Sequence, residues 1–295
     1  MILNISGRTD IVAFYTPWFI KRYKEGFVDV RNPIYPKHVS RIYFRDVDLI
    51  VFCTKNPHPI LPFLKEIKKP ILFQVTLTSY KKDIEPNVID KKQIIEDIKQ
   101  LAKYLGSENI YVRYDPIFLS DIYTLEYHKK AFEKICELLD SYVGHIIVSF
   151  IDDYKNVRKN MSVLRIKNFT NEDFKEIGLF FSEVARKHHM TVQTCSEYNT
   201  LEEYGFVVND CVSKELVKTI TGKNYPTWKG RNNQYCGCAS MVDIGSYNTC
   251  THYCKYCYAN YDEDKIKETI KNHHLDSTML IGYLKEDDEI KVRKN

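Results

Sequence analysis

Seven short, nearly continuous apolar runs, separated by amphipathic or polar stretches, constrain this chain more than any other feature. The runs cover residues 2–6, 48–53, 71–77, 110–113, 145–150, 191–195 and 241–244. They are rich in Val, Ile, Tyr and Phe, and strands covered on both faces lose the polar alternation of a half-exposed sheet. Between them, residues 91–105 place Ile94, Ile95, Ile98, Leu101, Ala102 and Leu105 at helical spacing. Residues 125–139 and 171–188 follow the same rule, with Asn171, Glu172 and Asp173 marking a helix start and Gly106 a helix end.

Such alternation predicts a parallel sheet with right-handed crossovers. About six or seven units fit a complete or partial (β/α) TIM-like barrel, with a doubly wound open sheet as the alternative. In either fold the strand C-termini carry the site. Polar residues stand there: Arg8, Thr9 and Asp10, then Lys55 and Asn56, Arg113 and Asp115, Asp152 and Asp153, Cys195 and Glu197. Residues 1–200 read as the repeat region and 201–240 as a helical and loop insertion with additional cysteines. Residues 241–295 read as a strand–loop–helix completing the same domain. Within the insertion a helical stretch from Leu201 precedes a Lys/Asn/Gly/Pro-rich connection. The tail holds a helix at 265–272 and a short strand near 280–284.

Hydrophobic residues are 44% and charged residues 28%, enough apolar material for a core, which excludes a mainly disordered chain. A net charge of +4 is too small to argue for nucleic acid. Lys223, Lys229 and Arg231, with Tyr225 and Trp228 nearby, read as a solvated loop more than a phosphate-backbone contact. No apolar run approaches the ~20 residues of a membrane span. The N-terminal MILNISGRTD lacks the basic and apolar regions of a signal peptide, so a cytoplasmic protein is expected. Nine cysteines, an odd count, then argue against a disulfide framework. Cys53 and Cys136 read as packing residues. The other seven follow residue 190, and five fall between Cys236 and Cys257, a clustering that points to metal.

The segment Cys250-Thr-His-Tyr-Cys254-Lys-Tyr-Cys257 has C-x3-C-x2-C spacing. Three thiolates this close can cap three irons of a cubane and leave the fourth without a protein ligand. Zinc held with His252 is the alternative, although zinc sites more often use two separated C-x2-C pairs. His252, lying between two ligands, reads as solvated or supporting. Cys195, Cys211, Cys236 and Cys238 supply four more thiols, the number that closes a second [4Fe–4S] cluster or a structural zinc site, with iron–sulfur favoured. Packing of Cys195 and Cys211 as small hydrophobes is the alternative.

The cysteine loop, with Tyr256 before its last cysteine, resembles the C-x3-C-x-aromatic-C loop of the radical SAM superfamily. The resemblance implies that the open iron binds the amino and carboxylate groups of S-adenosylmethionine, and that reduction releases a 5′-deoxyadenosyl radical. More specifically, ISGRTDIVAFY, CTKNP, FQVTLTSY, DIEP, VRYDPI and CGCASMVDIGSYNTCTHYCKYCYAN resemble the DUF1848 family over nearly the whole chain. That family supplies no reaction, and catalytic residues stay unknown.

In typical radical SAM proteins the cysteine loop follows the first barrel strand. Here it follows the last, which implies a circular permutation. The first strand then neighbours residues 241–244, and Ser6, Gly7, Arg8, Thr9 and Asp10 take the place of the superfamily's glycine-rich segment. The resemblance makes Gly7, Arg8, Asp10 and Tyr256 cofactor-binding candidates: Gly7 by close backbone approach, Arg8 on the methionyl carboxylate, Asp10 on the ammonium, and Tyr256 against adenine. An Arg8–Asp10 ion pair or a helix cap at Asp10 is the alternative. The implied partners are S-adenosylmethionine, an unknown substrate, and a reductase or a flavodoxin- or ferredoxin-type electron donor. A non-catalytic iron–sulfur or zinc protein for electron transfer, redox sensing or nucleic-acid binding is the competing reading.

Overall fold

The structure is a computed structural model that describes residues 1–5, 7–228, 235–260 and 262–294. Ser6, Lys229 and Arg231 therefore lie outside the described residues. Ten strands are present among the described residues: β1 (Ile2–Ile5), β2 (Phe27–Arg31), β3 (His38–Tyr43), β4 (Leu49–Thr54), β5 (Ile71–Thr76), β6 (Ile110–Ile117), β7 (His145–Phe150), β8 (Thr191–Thr194), β9 (Met241–Asp243) and β10 (Glu289–Val292). Seven of them form one parallel sheet in the order β8–β7–β6–β5–β4–β1–β9. The expected adjacency is present: Ile2, Leu3 and Asn4 pair with Met241, Val242 and Asp243.

The sheet is open. A closed barrel is not formed: the edge strands β8 and β9 are short, four and three residues, and no ladder joins them among the described residues. A doubly wound sheet is not formed either. The first six strands of the sheet in chain order, β1, β4, β5, β6, β7 and β8, lie side by side in sequence, which differs from the balanced halves of the doubly wound order, and only β9 returns to the other side of β1.

Strand residues alternate between two faces. One face sends Leu3, Ile5, Ile50, Phe52, Phe73, Val75, Val112, Ile146 and Val148 into the main core, where the helices Lys91–Leu105, Leu125–Leu139 and Asn171–Lys187 cover them. Phe132 and Phe181, from two of these helices, stack at 3.8 Å. The helix Asn171–Lys187 starts at the expected Asn171, capped from outside by a Thr170–Asp173 capping box. The opposite face changes character along the strands. Its N-terminal half is apolar (Ile2, Leu49, Val51, Leu72, Tyr111, Ile147) and packs against Cys211, Val212, Val217 and Cys238. By the same alternation, its C-terminal half carries Asn4, Cys53, Gln74, Arg113, Asp115 and Asp243.

Two expectations in the later part of the chain need correction. The stretch after Leu201 is not a long helix: it holds the 3-10 turn Glu202–Tyr204, and the helix Lys214–Thr221 comes after Cys211 rather than before it. Residues 280–284 form bends rather than a strand. The late strand is β10, which pairs in parallel with β3 in a small second sheet completed by β2. Its charged, exposed residues hide it from hydrophobic patterning.

Candidate metal centre

The loop after β9 brings Cys250, Cys254 and Cys257 to the C-terminal edge of the sheet. Cys250 is buried, and Cys254 and Cys257 are half-buried. Burial raises the Cys250 thiol, and the Asp10 carboxylate, Cys257 and Cys254 raise it further. Burial likewise raises Cys254, with the Lys55 ammonium pulling the other way and Glu85 and Cys257 adding to the rise. The three sulfurs therefore share one electrostatic pocket. No disulfide is present among the described residues, which include all nine cysteines.

Side chains from distant parts of the chain grip the loop through its backbone. Asn87 donates to Thr251 O at 2.9 Å, Asn156 to Cys257 O at 2.8 Å and Asn160 to Lys255 O at 2.7 Å. Asn260 closes the loop on itself by donating to Cys250 O at 2.9 Å. The Lys255 N–H donates to Ile84 O at 3.0 Å. His252 is not solvated: it is buried, and its Nε2 lies 3.0 Å from Asp10 Oδ2.

Asp10 ties together three elements. It caps the helix Ile11–Phe14 by accepting from Ala13 N–H at 2.9 Å, accepts from Thr54 Oγ1 at 2.8 Å and from Lys55 N–H at 2.8 Å, and meets His252. The helix-cap alternative is thus realised. Arg8 does not pair with Asp10. Its Nη2 donates to Asp243 O at 2.9 Å, and its Nε lies 3.5 Å from Asp243 Oδ1. Gly7 sits so close to the Asp243 carboxylate that a Cβ could not fit, and its carbonyl accepts from Tyr258 OH.

Tyr256 donates its hydroxyl to Glu85, and its ring lies 5.8 Å from that of Tyr80. Glu85, absent from the sequence-derived candidates, is the hub here. It pairs with Lys55 at 2.8 Å and with Lys91, and accepts from Thr78 Oγ1 at 2.7 Å. Burial pushes the Glu85 carboxyl up, but the two ammonium groups overcome that and hold it below its ordinary range. Asp243 is the other omission. Both lie inside the segments DIEP and MVDIGSY, so only a judgement of which residue in each segment does the holding was lacking.

Four buried polar atoms around the loop and the Gly7–Asp10 turn have no hydrogen-bond partner among the described residues: Arg8 Nε, Thr9 Oγ1, His252 Nδ1 and Asn260 Oδ1. Buried polar groups are normally satisfied, so these four atoms leave room for partners from outside the chain, ordered water or a bound ligand.

A second group of thiols converges on the same face of the sheet. Cys195 follows β8 directly, and its N–H donates to Val148 O at 2.9 Å. Cys211 Sγ lies 3.4 Å from Cys238 Sγ, Cys195 hydrogen-bonds with Cys211, and Cys238 with Cys236. Ligand atoms of Asp210, Cys236 and Cys238 lie within 4.8 Å of one another. The Arg113 guanidinium, bonded to Asp115 at 3.0 Å and to Gln74 at 3.1 Å, faces Cys195 and Cys211. Beside Asp115, burial lifts the Glu197 carboxyl to about 7, with Asp152 and Asp115 adding to the rise. Cys136 lies in the helix-side core and Cys53 on the polar-capped face.

A family profile described as "Domain of unknown function (DUF1848)" matches residues 2–259. No curated protein matches the chain.

Proposed function

The chain belongs to the DUF1848 family, and within it we propose a radical SAM-type enzyme whose cluster is held by Cys250, Cys254 and Cys257. The observation that carries the reading is the parallel pairing of β9 with β1. It sets the cysteine loop beside the Gly7–Asp10 turn, joined by the 3.0 Å His252–Asp10 contact. A strand order starting at β9 and running β1, β4, β5, β6, β7, β8 supports the reading of a partial barrel permuted so that its first strand comes last. The unsatisfied polar atoms bordering this pocket suit a cofactor with both polar and charged ends. A bound [4Fe–4S] cluster would supply one electron to the sulfonium of S-adenosylmethionine chelated at its open iron.

The chain's own groups then divide the work. The Arg8 guanidinium, held beside Asp243 with its Nε making no hydrogen bond, offers a cation-borne donor to the methionyl carboxylate. Gly7 keeps the backbone close. Asp10, with its oxygens engaged by protein donors, acts as a positioning residue through His252. Lys55 places a positive charge beside Cys254 and Cys257, which stabilises thiolates against burial. Glu85 fixes both Lys55 and Tyr256. The proposal requires a one-electron donor of the reductase, flavodoxin or ferredoxin kind.

Anaerobic reconstitution with iron and sulfide tests it. The loop binds about four irons per chain, and Cys250→Ala, Cys254→Ala or Cys257→Ala abolishes that uptake. With a strong reductant, the wild-type protein converts S-adenosylmethionine to 5′-deoxyadenosine and the three variants do not. A cluster that forms without any 5′-deoxyadenosine leaves an electron-transfer protein instead, and zinc at the loop in place of iron ends both readings.

A further inference from the structure

We propose that Cys195, Cys211, Cys236 and Cys238 bind a second metal, a single structural zinc ion, which fastens the irregular chain between β8 and β9 across the face of the sheet. This goes beyond the reading above and does not rest on it. The spacing argues for one ion. Zinc–sulfur bonds of about 2.3 Å in a tetrahedron put sulfurs about 3.8 Å apart. Thiolates on a four-iron cube are held farther apart, because the cube itself lies between them. Here Cys211 and Cys238 stand at 3.4 Å, the Cys236 and Cys238 sulfurs lie within 4.8 Å of each other and of an Asp210 carboxylate oxygen, and Cys195 adjoins Cys211, so a bound ion would draw the outer thiols in. A pair at 3.4 Å leaves no room for a cube between its sulfurs, which favours zinc over the iron–sulfur alternative in this proposal.

The surroundings fit the same role. Between β8 and β9 the described chain contains only the turn Glu202–Tyr204 and the helix Lys214–Thr221 as regular elements. Connections of this length without their own structure need a fastening, and a metal that joins distant segments provides one. The ligands come from three such segments: the exit of β8, the residue before Val212, and the Cys236-Gly237-Cys238 turn. That turn is drawn against Asp210, whose Oδ1 accepts the Gly237 N–H at 2.7 Å, and a Cβ at Gly237 would lie 2.5 Å from Asp210 Oδ2. A carboxylate that orients a ligand-bearing turn is a common companion of thiolate sites. The Arg113 guanidinium beside Cys195 and Cys211 offsets the surplus negative charge of four thiolates.

The test uses the full chain with Cys250, Cys254 and Cys257 all changed to Ala, so that metal at the loop cannot contribute. Purified from zinc-supplemented culture, it carries about one zinc per chain, released by about four equivalents of a mercurial. Adding Cys211→Ser or Cys238→Ser lowers zinc at least tenfold. Should those variants fail to fold, cobalt exchange into the triple variant decides the matter, because tetrahedral tetrathiolate coordination gives an intense thiolate-to-cobalt band. Iron with sulfide in the triple variant, absence of any metal, or a Cys211–Cys238 disulfide each overturns the proposal. A triple variant that keeps its zinc, beside a wild-type protein that makes no 5′-deoxyadenosine, overturns the proposed enzyme and leaves this site standing.

Discussion

The two thiol groups border one sheet, one at the C-terminal ends of its strands and one on the face opposite the main helices, and they are built in opposite ways. Cys250, Cys254 and Cys257 lie on a single eight-residue loop, share one electrostatic field, and are ringed by buried polar atoms without partners among the described residues. Cys195, Cys211, Cys236 and Cys238 come from three separate stretches, and their sulfurs touch in sequence. A contiguous loop obtains ligand spacing from local chain geometry, so its surroundings are free to leave a vacancy for a cofactor. A dispersed set must be gathered by the fold, and its metal in turn holds the fold together. The difference separates a centre suited to reactivity from one suited to stability.

The sharpest way to break this contrast is to remove one thiol from each group. Cys211→Ala should cost on the order of 5 kcal/mol of stability and open the chain between β8 and β9 to limited proteolysis. Cys254→Ala should leave the melting temperature within a few degrees while abolishing cofactor cleavage. Equal destabilisation by both would erase the distinction. Next in size is Glu85→Gln, which leaves two ammonium groups without their buried carboxylate. It should cost about 3–5 kcal/mol in urea unfolding and weaken iron uptake at the loop without lowering zinc at the dispersed site.

A third measurement supplies a baseline outside both groups. His128 is buried, bonded to Tyr114 OH at 2.8 Å and Phe118 O at 2.9 Å, and burial lowers its pKa to about 4. The unfolded chain takes up a proton near pH 6.5 that the folded chain refuses. Stability is therefore complete above that pH and falls by about 3 kcal/mol as pH drops toward 4. His128→Gln should flatten this slope in pH-dependent unfolding. A slope that persists in His128→Gln assigns the acid sensitivity to other groups. The smallest effect is that of Asp10→Asn, about 1–2 kcal/mol from a weakened helix cap and a loosened His252.

Much of this was legible before the structure. The helices at Lys91–Leu105 and Leu125–Leu139 and the strand His145–Phe150 have the bounds that their apolar spacing predicts. All three are long or strongly patterned, and their side chains enter the core. The adjacency of β9 and β1 followed from the cysteine loop's resemblance, not from any pattern in the strands. What stayed hidden lacked a hydrophobic signature. β10 reads Glu-Ile-Lys-Val and is exposed throughout. The chain around Cys211 packs through scattered residues rather than a stripe. Glu85 carries no mark in the sequence beyond its place in DIEP, because a buried carboxylate is recognised by the lysines that reach it, and Lys55 and Lys91 lie 30 residues before it and 6 after it.

The position of β9 has a consequence for how the protein comes to be made. Most of what the cysteine loop docks on, from the turn at Gly7 to Glu85 and Asn156, leaves the ribosome before the loop does. The cradle can fold while the loop is still untranslated, so the loop meets a scaffold already in place.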